Sequence, residues 1–126
     1  MIIQFDEKYK SFPKEEYELH VEKLQTEMKK MNLDLLLLTS PENIYYSTGY
    51  RSWYTSSLFR PVYVLVPLEG DPAVILRILE KSTVKFTSWT SNVFVSGTKA
   101  RNIGYLDAES HIEATKKAID QIAPSA

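Results

Sequence analysis

Leu33-Asp34-Leu35-Leu36-Leu37-Leu38-Thr39-Ser40-Pro41-Glu42-Asn43-Ile44-Tyr45-Tyr46-Ser47-Thr48-Gly49-Tyr50 is the stretch whose reading decides the fold. Its first part is a short apolar run between turn residues, the pattern of a strand buried on both faces. A row of leucines also suits a helix, but the run is short and Ser40-Pro41 stops it, so a strand is favoured. Ser40 can cap a new helix with Pro41 at its first position, where the N–H that proline lacks would have no partner anyway. Gly49 then closes that short helix by turning left-handed.

Upstream, Tyr17, Val21, Leu24, Met28 and Met31 recur at helical spacing and predict a helix from about Pro13 to Met31, ended by Asn32. Glu15 and Glu16 lie at its positive end, Lys29 and Lys30 at its negative end. Downstream, Tyr50 to Arg60 reads as an aromatic, polar loop. Val62–Val66 and Ala73–Leu79 read as strands joined through the turn formers Pro67 to Pro72, that is, as a hairpin. Residues 80–88 have room for one or two helical turns, Asn92–Val95 suits another short strand, and 96–107 is loop-like. Asp107 or Ser110 can start a last helix with Ile112, Ile119 and Ile122 on one side. Helices alternating with buried strands, plus one hairpin, predict an α/β fold of three layers, α/β/α, with a mixed sheet.

The 126 residues suit one domain, numbered 1–126 throughout, and the 44% hydrophobic and 25% charged composition is ordinary for a globular chain. With a net charge of −1 and no basic face or arm, nothing points to nucleic acid. No apolar run approaches the roughly 20 residues that span a bilayer, and acids arrive early at the amino terminus, so neither a membrane nor a signal peptide is expected. The absence of cysteine removes thiolate chemistry and fits a reducing compartment, so a cytoplasmic protein is the expectation.

Chemistry-bearing motifs are missing. There is no His-Glu-x-x-His, no Gly-x-Ser-x-Gly and no phosphate loop, and the four glycines are scattered singly. His20 lies off the apolar stripe and reads as a solvated helix residue, with His111 similar. Asp34 interrupts an apolar strand and reads as a strand-end carboxylate bonded to nearby backbone. One region stands out: Tyr45, Tyr46, Tyr50, Trp53, Tyr54 and Phe59 gather with Arg51 and Arg60 within sixteen residues. Aromatic anchors and arginine are enriched at interface hot spots, and an arginine fork matches a carboxylate. Core and loop packing is the competing reading for the aromatics, and a surface salt bridge for Arg60.

The run from Leu33 to Tyr50 resembles the amino-terminal domain of the creatinase, prolidase and aminopeptidase P family. There a helix precedes a hydrophobic-Asp-hydrophobic strand and then Ser/Thr-x-x-Asn-hydrophobic-x-Tyr-hydrophobic/Ser-Thr-Gly. Here the core of that pattern is Asn43-Ile44-Tyr45-Tyr46-Ser47-Thr48-Gly49, and none of its residues is catalytic. The first helix, the Arg60-Pro61 step and the hairpin fit as well, so the resemblance covers most of the chain.

The resemblance implies a non-catalytic domain, truncated and lacking the pita-bread domain that carries the active site. It implies a parent protein resembling a Xaa-Pro dipeptidase, with two divalent metals (manganese or cobalt) in the absent domain and no cofactor in this chain. A creatinase-like, metal-free hydrolase of a small guanidino, amidino or cyclic amino-acid derivative is the alternative, and a stand-alone binding module is the rival from another class. The implied partners are the protein's own catalytic domain and a second copy in a homodimer. In trans, Arg60 with Phe59, and also Arg51 and Trp53, would line the substrate site. The loop has extra residues compared with creatinase. The family pattern also continues into a further strand of Ile-Gly-hydrophobic-Glu type, which these residues do not contain.

Overall fold

A computed structural model describes residues 10–52, 61–97 and 107–126. Helix α1 spans Lys14–Lys30, strand β1 Leu35–Leu38, helix α2 Pro41–Thr48, β2 Tyr63–Pro67 and β3 Ala73–Arg77. A 3₁₀ turn at Ile78–Glu80 leads into α3 (Lys81–Thr87), followed by β4 (Val93–Ser96) and α4 (His111–Ile122). Among the described residues no helix is long and apolar enough to cross a membrane.

The ends of α1 follow from its residues. Pro13, extended at φ −65° and ψ 157°, stands just outside the helix rather than in its first turn. At the other end Asn32 takes a left-handed φ of 57°. Its N–H bonds the Lys29 carbonyl at 3.3 Å, and Leu33 N–H reaches back to Met28 O at 2.9 Å. This pair of bonds is a Schellman motif, with Asn in the place more often held by Gly. Tyr17, Val21 and Met28 of the expected stripe are buried and Leu24 is partly buried. Met31 is 65% exposed, because it sits at the cap where the chain leaves the core.

The four strands form a mixed sheet in the order β1-β2-β3-β4: β1–β2 and β2–β3 are antiparallel and β3–β4 is parallel. The β2–β3 hairpin turns at Gly70, whose φ of +97° suits a residue without a side chain. Gln25 of α1 secures that turn, donating to the carbonyls of Pro67 at 2.9 Å and Gly70 at 3.0 Å. Alternation along the strands divides the core in two. Val64, Val66, Val74, Leu76 and Val95 face α1, α2 and α3, packing on Tyr17, Val21, Met28, Ile44 and Val84. Leu65, Ala73, Ile75 and Phe94 face α4, where Ala114 and Ala118 allow close approach. Three layers result, as the sequence predicts.

Two expectations need correction. Leu35–Leu38 is not buried on both faces: β1 is an edge strand, paired only with β2 among the described residues, and Leu37 is 50% exposed. The reason is the placement of α4, which packs chiefly on β3 and β4. On α4 itself the buried line is Ala114 and Ala118, with Ile119 and Ile122 partly buried, while Ile112 is 72% exposed. At 3.6 residues per turn Ile112 lies about 120–160° round the helix from Ala114 and Ala118, in the first turn, on the side of Ile119. Ser110, not Asp107, caps the helix, accepting from Glu113 N–H at 3.0 Å.

The most constrained backbone point is Gly49, left-handed at φ +80° and donating to Tyr45 O at 2.8 Å. A Cβ there would lie 2.6 Å from Thr87 O and 2.8 Å from the Tyr17 ring. Both φ and contact therefore exclude a side chain. Gly49→Ala is expected to lower unfolding free energy by about 2–4 kcal/mol. Urea denaturation checks this, and a change of less than about 0.5 kcal/mol would show that the junction yields.

Candidate functional site

The sequence points to the aromatic segment after α2, and the structure shows how its beginning is built. Ser40 caps α2 as expected, accepting from Asn43 N–H at 3.3 Å. At the other end, where helix carbonyls lack internal partners, Ser47 O accepts from Trp89 Nε1–H at 2.8 Å and Thr48 O from Trp89 N–H at 2.9 Å. Thr48 Oγ1 in turn accepts from Tyr50 N–H at 3.0 Å. The exit of α2 is thereby tied to the chain that follows α3.

Tyr50 is fully buried and donates its hydroxyl to Glu80 Oε1 at 2.6 Å, and Ser52 Oγ donates to the same oxygen at 2.8 Å. Glu80 is 1% exposed, and its other oxygen, Oε2, is buried without a hydrogen-bond partner among the described residues. Burial, then the bond to Glu80, holds the Tyr50 phenol above its ordinary range. Between these two anchors Arg51 is exposed, its guanidinium 6.0 Å from the Tyr45 ring centroid and its N–H directed at Thr87 Oγ1 at 3.4 Å.

Of the predicted site residues, Arg51 alone is described. Trp53, Phe59 and Arg60 lie outside the described residues. Glu80 was missed because it falls where the sequence offers only one or two helical turns after an apolar strand; no local pattern marks it as the acceptor for residues about thirty positions away.

The histidines also differ from expectation. His20 is not a solvated residue: it stacks on Tyr46 at 4.1 Å and 6°, its Nδ1 lies 2.8 Å from Tyr46 O and its Nε2 3.4 Å from Glu16. It joins α1 to α2. His111 opens α4 with Nδ1 3.0 Å from Ser96 Oγ, its ring edge-on to Tyr63 and Nε2 buried. Burial, then the positive charge of Arg77, lowers its pKa from 6.5 to about 4. Ser96 is itself fully buried, so the pair is structural rather than a nucleophile and base facing solvent. Asp34 is exposed at the rim of a cavity of about 380 Å³ shared with Glu69 and residues 122–126, and its carboxylate makes no backbone bond among the described residues. Among the described residues no group of three His, Cys, Asp or Glu side chains is placed to hold a metal ion.

Comparison with known proteins adds the ancestry. The profile of the Creatinase/Prolidase N-terminal domain matches residues 20–123. The chain belongs to that family. It is 33% identical over 78 residues to an ectoine hydrolase of Halomonas elongata, covering 62% of this chain and 19% of the relative. An uncharacterized peptidase of Staphylococcus aureus is 28% identical over 102 residues, covering 81% of this chain and 26% of the relative. The chain thus spans about a fifth to a quarter of the length of these relatives. Among solved structures, a proline dipeptidase from Streptococcus pneumoniae aligns with TM-score 0.50 and 25% identity, covering 80% of this chain and 65% of that one. One from Streptococcus agalactiae aligns with TM-score 0.54 and 14% identity, covering 86% and 90%, and supports the fold alone.

Because His111 is held neutral in the fold and titrates near 6.5 when unfolded, the unfolded chain binds the extra proton first as pH falls. Its share of stability is intact above about pH 6.5 and is lost progressively down to about pH 4. His111→Gln is expected to flatten that slope. Denaturation midpoints measured from pH 7 to 4 decide it, and an equal slope in both proteins would refute the assignment.

Proposed function

We propose that this chain is the non-catalytic amino-terminal domain of a larger hydrolase resembling Xaa-Pro dipeptidases and aminopeptidases. The observation that carries the reading is the family match over residues 20–123, joined to relatives, an ectoine hydrolase and a peptidase, about four to five times longer than the region they share. In this reading the bond-splitting groups and two divalent metals stand in a following catalytic domain. The present domain contributes contacts in a cytoplasmic homodimer and lends its aromatic loop to the partner's substrate site.

The anchoring of Tyr50 and Ser52 and the exposure of Arg51 support that role for the loop. The loop carries Arg51, Trp53, Phe59 and Arg60, and a guanidinium fork suits a substrate carboxylate. A specific observation favours a second reading: the 33% identity to an ectoine hydrolase points to C–N hydrolysis of a small cyclic amino-acid derivative.

Two outcomes are expected. In the intact enzyme Arg60→Ala raises KM on the order of tenfold with a smaller effect on kcat, and an unchanged KM would remove Arg60 from the substrate site. The isolated chain, assayed with Xaa-Pro dipeptides and with ectoine in the presence of Mn²⁺, gives no turnover. Turnover by the purified chain would overturn the non-catalytic role.

A further inference from the structure

Tyr50 and Ser52 are two residues apart and send their hydroxyls to one oxygen of one buried carboxylate. Arg51 stands between them in the chain, exposed where Tyr50 is buried and Ser52 partly so. It makes no ion pair among the described residues, and its guanidinium lies 6.0 Å from the Tyr45 ring centroid. Its backbone is held as well: the Arg51 N–H donates to Thr87 Oγ1 at 3.4 Å. Gly49, one residue before the segment, is fixed by its left-handed turn against Tyr17 and Thr87. The direction in which the chain leaves α2, and with it the stance of Arg51, therefore depends on the turn after β3, which places Glu80.

We infer that Glu80 is a positioning residue for Arg51: by holding Tyr50 and Ser52 on one side, its carboxylate turns the Arg51 guanidinium outward as a fork for a ligand carboxylate. The identity of that ligand rests on the function proposed above, whereas the positioning does not. Both bonds are accepted by Oε1, and a glutamine carbonyl offers the same acceptor. The role assigned to Glu80 is therefore that of an acceptor, and the conservative amide preserves it while a methyl group does not.

The test has two arms. In this chain, ¹⁵N spectra of Glu80→Ala, Glu80→Gln and the double variant Tyr50→Phe, Ser52→Ala are compared with the parent, following the Arg51 and Ser52 amides and the Arg51 side-chain Nε–H. Glu80→Ala and the double variant are expected to shift these signals while amides of β2 and β3 stay in place. Glu80→Gln restores them. Unmoved Arg51 signals in the double variant, or a shift in Glu80→Gln as large as in Glu80→Ala, would overturn the inference; the double variant decides should Glu80→Ala fail to fold.

In the intact enzyme, an alanyl-proline dipeptide is compared with its carboxy-terminal amide. Arg51→Ala and Glu80→Ala are expected to raise KM for the acid on the order of tenfold and leave the amide little changed, with Glu80→Gln close to the parent. Equal losses on acid and amide would mean that Arg51 does not read a carboxylate. Shifts as expected in the isolated chain, with neither compound turned over by the intact parent, would sink the peptidase reading and leave the positioning role standing.

Discussion

The exit of α2 is the constraint from which the rest of the structure follows. A helix of eight residues is too short to persist by itself, and its last carbonyls need donors from elsewhere. Trp89 supplies two of them, one from its indole and one from its backbone, at 2.8 and 2.9 Å. For Trp89 to reach that point, β3, the 3₁₀ turn and α3 must already stand beside α2. For the chain to leave without collision, residue 49 must be a glycine. The end of α2 and the course of residues 49–52 are thus settled at one junction.

Much of this was legible in the residues. Ser40-Pro41 and Gly49 mark both ends of α2 because capping chemistry is local: the donors and acceptors lie within a few residues of each other. The hairpin around Gly70 was legible for the same reason. The stripe of α1 was legible apart from its last member, Met31, which falls at the cap. Burial of β1 was not. A run of leucines reports what a strand can bury, and the neighbours decide what it does bury. With α4 centred on β3 and β4, the α4-side face of β1 is left partly open, and Leu37 shows it.

The candidate site divides along the same line. Arginine and aromatics crowded near α2 were visible as composition. That Arg51 is presented while Tyr50 is fully buried was not, because both are large residues in the same irregular stretch, and their fates depend on a carboxylate thirty residues away. The histidines teach the opposite lesson. Off-stripe positions read as solvated, yet His20 finds the Tyr46 ring and carbonyl, and His111 finds Ser96 and Tyr63. A flat ring with two nitrogens packs well where helices meet or where a helix starts over a sheet, and periodicity does not register such contacts.

Glu80 and His111 also show two ways of carrying an ionisable group into the core. His111 gives up its charge: burial and the nearby Arg77 favour the neutral ring, which then serves as a polar packing piece. Glu80 gathers donors, two hydroxyls on one oxygen, while its second oxygen finds none among the described residues. Burying an acceptor without a donor costs about 1–3 kcal/mol, so folding alone gives no reason to prefer glutamate to a smaller polar residue here. What the longer side chain does accomplish is reach. It spans from the turn after β3 to the first residues beyond α2, and it holds two of them at once. A residue buried at such a cost, at the root of the one segment rich in arginine and aromatics, is better explained by where it sets Arg51 than by what it adds to stability.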